Sequence, residues 1–228
     1  MRAQSPAGQD ATEATRLADR LGQRAIEKLY AHCQAPVVFP MGQKWDQLYP
    51  FVGRTIGNQP LIYLEFGVFR GRSMQKMTEI FGHEDARFFG FDCFEGLPEK
   101  WGTLRKGAFS TAGEKPLLDD QRVSFVKGYF QNTLPHFMAK FRAGGPVLVH
   151  FDADLYSSTL FLLTTLWHNI AEYHFIFDEF WPDEATALYD FSQAYPVSFD
   201  FLASTARARD TARPCQLFGH MKNTVYQP

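Results

Sequence analysis

A chain of 228 residues with 45% apolar content can bury a substantial core, and one large α/β domain is expected rather than two small ones. Its formal net charge of −2, with acids and bases mixed along the chain, provides no basic stripe for nucleic acid. The 3 cysteines are scattered and form no C-x-x-C pair, which argues against a disulfide framework or a zinc site, and no apolar run suits a signal peptide or a membrane span; the expectation is a cytoplasmic protein acting on a small molecule.

Residues 1–10 are polar and turn-rich and read as a disordered tail. Leu17, Leu21, Ala25, Leu29 and Cys33 then recur every four residues, the mark of an amphipathic helix ending near Pro36. The rest of the segment 11–58 holds Trp45, Tyr49 and Phe51 without a clear period. Packing is its expected role, with a cap over a pocket or a homo-oligomer contact as alternatives.

The main domain is expected over residues 59–228. Its first strand, LIYLEF at 61–66, runs into GVFRGRS and a helical pattern of Met74, Met77, Ile80 and Phe81, a strand, glycine turn and helix of the nucleotide-binding type. Gly67 and Gly71 let the backbone approach a ligand, and a helix starting near Ser73 offers free N–H groups. The spacing E-x-G-x-x-x-G is neither G-x-G-x-x-G nor a P-loop, so dinucleotide and ATP readings lose ground. A second strand, 87–91, ends in Asp92, 25 residues after Gly67. That is close to the roughly 20-residue offset at which an acid meets ribose hydroxyls.

Residues 95–120, rich in Gly, Pro and charge, are too long for a plain connection and read as a substrate lid. A strand at 122–127 leads through Gly128, Tyr129 and Phe130 into a helix carrying Leu134, Phe137 and Phe141. The strand at 147–151 then throws Asp152 and Asp154 from its carboxyl edge, where open α/β sheets bind ligands. After a helix from Ser157, a strand at 173–177 ends in Asp178 and Glu179. A helix near 182–194 and closing strands near 197–203 and 214–224 complete a doubly wound, mostly parallel sheet. If the two acid-bearing strands are neighbours, their carboxylates converge and call for a hard divalent cation, Mg²⁺ with Mn²⁺ or Ca²⁺ as alternatives. The competing use of these acids is helix capping, or pairing with Arg70, Arg72 or Lys127.

The ordered set EFGVFRGRS, FDCFEGLPE, VKGYFQNTLP, VHFDADLYSST and FIFDEFW, over about residues 60–180, resembles the TylF/MycF (macrocin-type) sugar O-methyltransferases, class I enzymes that use S-adenosylmethionine. The resemblance implies a Rossmann-like seven-stranded sheet with an N-terminal helical extension. It also implies Mg²⁺-assisted methyl transfer to a hydroxyl of a sugar-containing or other small natural product. Carried onto this chain, Glu65, Gly67, Val68 and Gly71 would line the methionine and ribose region with Ser73 close by. Asp92 would hold the ribose, and Gly128 to Phe130 would lie near the adenine. Asp152, Asp178 and Glu179 would be the metal ligands and Asp154 the base, Asp152 also serving catalysis. One departure is Glu179, where the family commonly has Asp. Two competing readings are a cofactor-binding scaffold subunit without catalysis and an NAD-dependent oxidoreductase.

Overall fold

A computed structural model describes residues 6–31, 33–207 and 210–225. Eight strands form one sheet in the order β1-β7-β8-β6-β5-β2-β3-β4. The strands are β1 (Val37–Pro40), β2 (Ile62–Phe66), β3 (Arg87–Asp92), β4 (Val123–Lys127), β5 (Val147–Phe151), β6 (Glu172–Phe177), β7 (Val197–Arg207) and β8 (Asp210–Asn223). Only β8 runs against its neighbours, β6 and β7. The sheet therefore has one strand more than expected. The addition, β1, pairs in parallel with β7 as a short edge of which Val37 and Val38 are exposed, so it lacks the buried apolar run that marks the inner strands.

The central strands are covered on both faces, and for that reason read as continuous apolar runs. One core joins Leu64, Phe66, Val149, Phe151, Phe175 and Phe177 to helices α4 (Phe130–Met138), α5 (Tyr156–Trp167), α6 (Ala185–Ala194) and α1 (Pro6–Tyr30). The other packs Tyr63, Phe88, Leu148 and Ile176 against α2 (Tyr49–Ile56) and α3 (Arg72–Ile80). The aromatic segment without a clear period thus becomes the helical turn Lys44–Leu48, which carries Trp45, followed by α2, whose Tyr49, Val52 and Ile56 are buried.

Helix α1 differs from expectation in two ways. It begins at Pro6, inside the stretch expected to be a disordered tail, whose first five residues lie outside the described ones. Its buried stripe is Gly22, Ala25, Ile26 and Leu29, whereas Leu17 and Leu21 are 50% and 48% exposed. A strict four-residue repeat precesses by about 40° per step around a helix of 3.6 residues per turn, so the earlier leucines rotate off the packed face. No described helix is long and apolar enough to cross a membrane.

Candidate active site

The carboxyl ends of β2, β3 and β5 meet at a cleft of about 280 Å³, bordered by Gly67, Asp92, Gly128, Phe130, Asp152 and Asp154 among others. Gly67 is required at its floor. Its φ is +94°, and a Cβ there would stand 1.8 Å from the Asp152 carbonyl oxygen. The turn after it is held by Asp92, whose Oδ2 accepts the N–H groups of Val68 and Phe69, both at 2.9 Å, while Oδ1 accepts that of Phe94 at 2.7 Å. An ionised carboxylate has roughly four acceptor positions, so Asp92 builds the turn and keeps capacity toward the cleft.

Of the residues expected in this region, Gly67 borders the cleft, whereas Glu65, Val68, Gly71 and Ser73 are not among those that line it. Glu65 is wholly buried beneath the turn and accepts a short hydrogen bond from the Ser73 hydroxyl. Ser73 is therefore directed under the sheet, on the α3 side. Gly71, at φ +75°, packs against Pro116 of the long loop. Burial pushes Glu65 up to about 7, against the opposing pull of His150 and Ser73.

Strands β5 and β6 are neighbours, as anticipated, and their register ends with Phe151 opposite Phe177, so the acids following each leave the same edge. Asp154 has φ +60°, a left-handed conformation that Asp tolerates, in a tight turn closed by the Leu155 N–H on the Ala153 carbonyl at 2.6 Å. Burial and then the charges of Glu179, Asp178 and Asp183 push Asp154 up to about 7. Asp152 is raised by burial and by Asp178 and Asp154.

Asp178 behaves differently. Both its oxygens accept from Lys44 Nζ, at 2.8 and 2.7 Å, and Oδ1 also accepts from the Tyr49 hydroxyl at 3.3 Å. His150 Nε2 lies 3.4 Å from the same oxygen, and its Nδ1 shares a 2.6 Å hydrogen bond with Tyr63. Burial alone would raise Asp178, but His150 and Lys44 outweigh it and hold the carboxyl below its usual range. Arg70, Arg72 and Lys127 are engaged elsewhere: the two arginines stack on Phe69 and Trp45, and Lys127 donates to the Gly113 carbonyl.

With Asp178 held by Lys44, the expected metal set of Asp152, Asp178 and Glu179 shares one edge without being gathered around an ion. Among the described residues, no three acid, histidine or cysteine side chains are grouped so as to hold a metal. Lys44, Tyr49, His150 and Glu184 were missed from sequence. Glu184 is fully buried without a hydrogen-bond partner on either oxygen, and burial and the surrounding carboxylates raise it far above its usual range. A polar residue inside the apolar run VLVHF was the one available signal for His150.

The long loop borders the cleft, with Leu97, Trp101 and Phe109 on its wall. It is tied down by Trp101 Nε1 donating to Asp183 at 3.0 Å and by Ser157 donating to Glu99 at 2.7 Å. A second cavity, of about 450 Å³, lies on the other side of Glu179 between Lys44, Trp45, Trp181, Arg207 and Arg213.

A family model described as Macrocin-O-methyltransferase (TylF) matches residues 106–201, which bears out the resemblance over the span containing Asp152, Asp154, Asp178 and Glu179. No curated protein matches the chain. Among solved structures, the O-methyltransferase NovP superposes with a TM-score of 0.54 at 17% identity, covering 80% of each chain. CalS11, a TDP-rhamnose 3'-O-methyltransferase of calicheamicin biosynthesis, gives 0.51 at 20% identity, covering 99% of this chain and 98% of its own. An O-methyltransferase from Bacillus cereus in complex with SAH gives 0.50 at 14% identity, covering 90% and 91%. These likenesses show the fold: the eight-stranded, mostly parallel sheet with its flanking helices is Rossmann-like and is shared with those structures.

Proposed function

We propose that this chain, whose residues 106–201 match the macrocin O-methyltransferase model, transfers a methyl group from S-adenosylmethionine to a hydroxyl of a sugar-containing or other small natural product. The observation that carries the reading is the cleft itself. A glycine whose Cβ would collide with the neighbouring strand lies beside an acid fixed at the end of the next strand, and aromatic rings stand opposite. Those features suit the cofactor: Gly67 permits close approach, Asp92 retains acceptor capacity for ribose hydroxyls, and Phe69, Tyr129 and Phe130 offer flat apolar walls for a base. When bound, S-adenosylmethionine supplies an electrophilic methyl group on a sulfonium.

The remaining steps fall to the chain's own side chains. Asp154, on the cleft wall and with its proton affinity raised to about 7, accepts the acceptor hydroxyl's proton as the new O–C bond forms and the C–S bond breaks. The acceptor enters from the second cavity, where Trp45 and Trp181 give broad faces for a ring and Glu179 marks the junction with the cleft. The loop carrying Trp101 excludes water from the transfer. The divalent ion implied by the resemblance meets a donor set that does not fit it, because Asp178 is taken by Lys44.

Transfer of labelled methyl from S-adenosylmethionine to a panel of glycosides, nucleotide sugars and phenols tests the reading. Asp154→Asn is expected to lower kcat by about 10²–10⁴ and leave S-adenosylhomocysteine affinity within about twofold. Full turnover by that variant on an acceptor used by the wild type would remove Asp154 from the reaction.

A further inference from the structure

The acid edge of β5 and β6 already has a cation. Lys44 Nζ is bound to both oxygens of Asp178, and its side chain is 19% exposed against 6% for its partner. The ammonium also lies 5.0 Å from the ring centroid of Trp45 and 6.0 Å from that of Tyr49, so aromatic faces reinforce the charge where it sits. Around the same carboxylate, Tyr49 donates to Oδ1 and His150 Nε2 stands 3.4 Å from it, while the Asp178 main-chain carbonyl accepts from Gln216 at 2.8 Å. Asp178 is thereby enclosed on several sides by groups from α2, β5, β8 and the helical turn Lys44–Leu48. An ion drawing on Asp178 would have to separate a largely desolvated pair and leave the ammonium uncompensated.

We infer that Lys44 is the resident cation of this edge, holding the place expected of a divalent ion, and that methyl transfer here runs without a metal. The inference rests on the reading of this edge as the methyl-transfer site. Lys44 borders the second cavity together with Glu179, so it faces the same space as the acceptor. An ammonium has three N–H donors, and two are spent on Asp178; the third is available to the acceptor oxygen as negative charge develops on it. A single positive charge acidifies a hydroxyl less than a divalent ion does. Proton removal therefore stays with Asp154 and accompanies formation of the O–C bond, and the sulfur leaves as a neutral thioether.

The test is Mn²⁺ binding read by electron paramagnetic resonance on the full chain saturated with S-adenosylhomocysteine, comparing the wild type with Lys44→Met. Wild type is expected to bind no stoichiometric Mn²⁺ up to about 1 mM, and Lys44→Met to gain one site as Asp178 is released. Turnover of wild type is expected to change by less than about twofold on adding EDTA, in contrast to the tenfold or greater loss that removing a catalytic ion brings. One tightly bound Mn²⁺ in wild type, loss of turnover with EDTA, or no gain of an ion by a folded Lys44→Met each overturns the inference. Calorimetry with S-adenosylhomocysteine on the same samples reports separately on the cofactor site, so failure of the methyltransferase reading is not confused with failure of the Lys44 assignment. If Lys44→Met does not fold, the two wild-type measurements decide.

Discussion

Replacing Gly67 by alanine tests the architecture of the cleft at its tightest point. The added Cβ would lie 1.8 Å from the Asp152 carbonyl oxygen and 2.7 Å from its carbonyl carbon. An ordinary C···O approach is about 3.3 Å, so the ends of β2 and β5 would have to separate by about 1.5 Å. The backbone φ of +94° adds about 1–2 kcal/mol for an L side chain. Separation also breaks the 2.9 Å bond from the Asp152 N–H to the Phe66 carbonyl, worth about 1 kcal/mol. A loss of about 3 kcal/mol follows, which lowers Tm by about 6–12 °C in a domain of this size. The displacement falls at the proposed cofactor cleft, so a shift of about 1 Å there is expected to weaken S-adenosylhomocysteine binding and to lower turnover by about 10²-fold. Thermal melts and calorimetry on Gly67→Ala measure stability and affinity. A Tm within about 2 °C of wild type together with unchanged affinity would refute the argument.

Glu65 provides a pH signature. Its folded-state value of about 7 lies above the ordinary 4.5, so the native state holds the extra proton and stability falls as pH rises from about 4.5 through 7. At about 1.4 kcal/mol per pH unit the full effect is about 3 kcal/mol at most. Urea melts at pH 5 and pH 8 should show this slope in wild type and a flatter one in Glu65→Gln; equal slopes would contradict the assignment. Trp101→Phe removes one hydrogen bond to Asp183 and keeps the apolar wall, so KM for the acceptor should rise about fivefold with global stability nearly unchanged. An unaltered KM would show that the loop's anchor does not contribute to acceptor capture.

The parts of the fold legible in the sequence were those set by local pattern. Strands buried on both faces read as apolar runs, the glycine turn after β2 read as a close approach, and the acids after β5 and β6 read as one edge because successive crossover units place strands side by side. What the sequence hid depends on distant partners. Lys44 is 134 residues from Asp178, and nothing local marks the helical turn that brings it there. β1 was invisible because four half-exposed residues at an edge carry no periodic signal. The direction of a side chain at a turn was equally hidden: Glu65 shares a motif with Gly67, yet on the sheet it aligns with His150 and meets Ser73 from α3. A carboxylate beside a glycine turn reads as a ligand group whether it faces the cleft or the core.

Calorimetric titration of the full chain with S-adenosylhomocysteine, and separately with NADH, tests the central claim most directly. The cleft built on Gly67, Asp92 and Gly128 is expected to bind one equivalent of S-adenosylhomocysteine per chain and no NADH. Binding of NADH without S-adenosylhomocysteine would contradict the methyltransferase account and return the chain to the oxidoreductase reading.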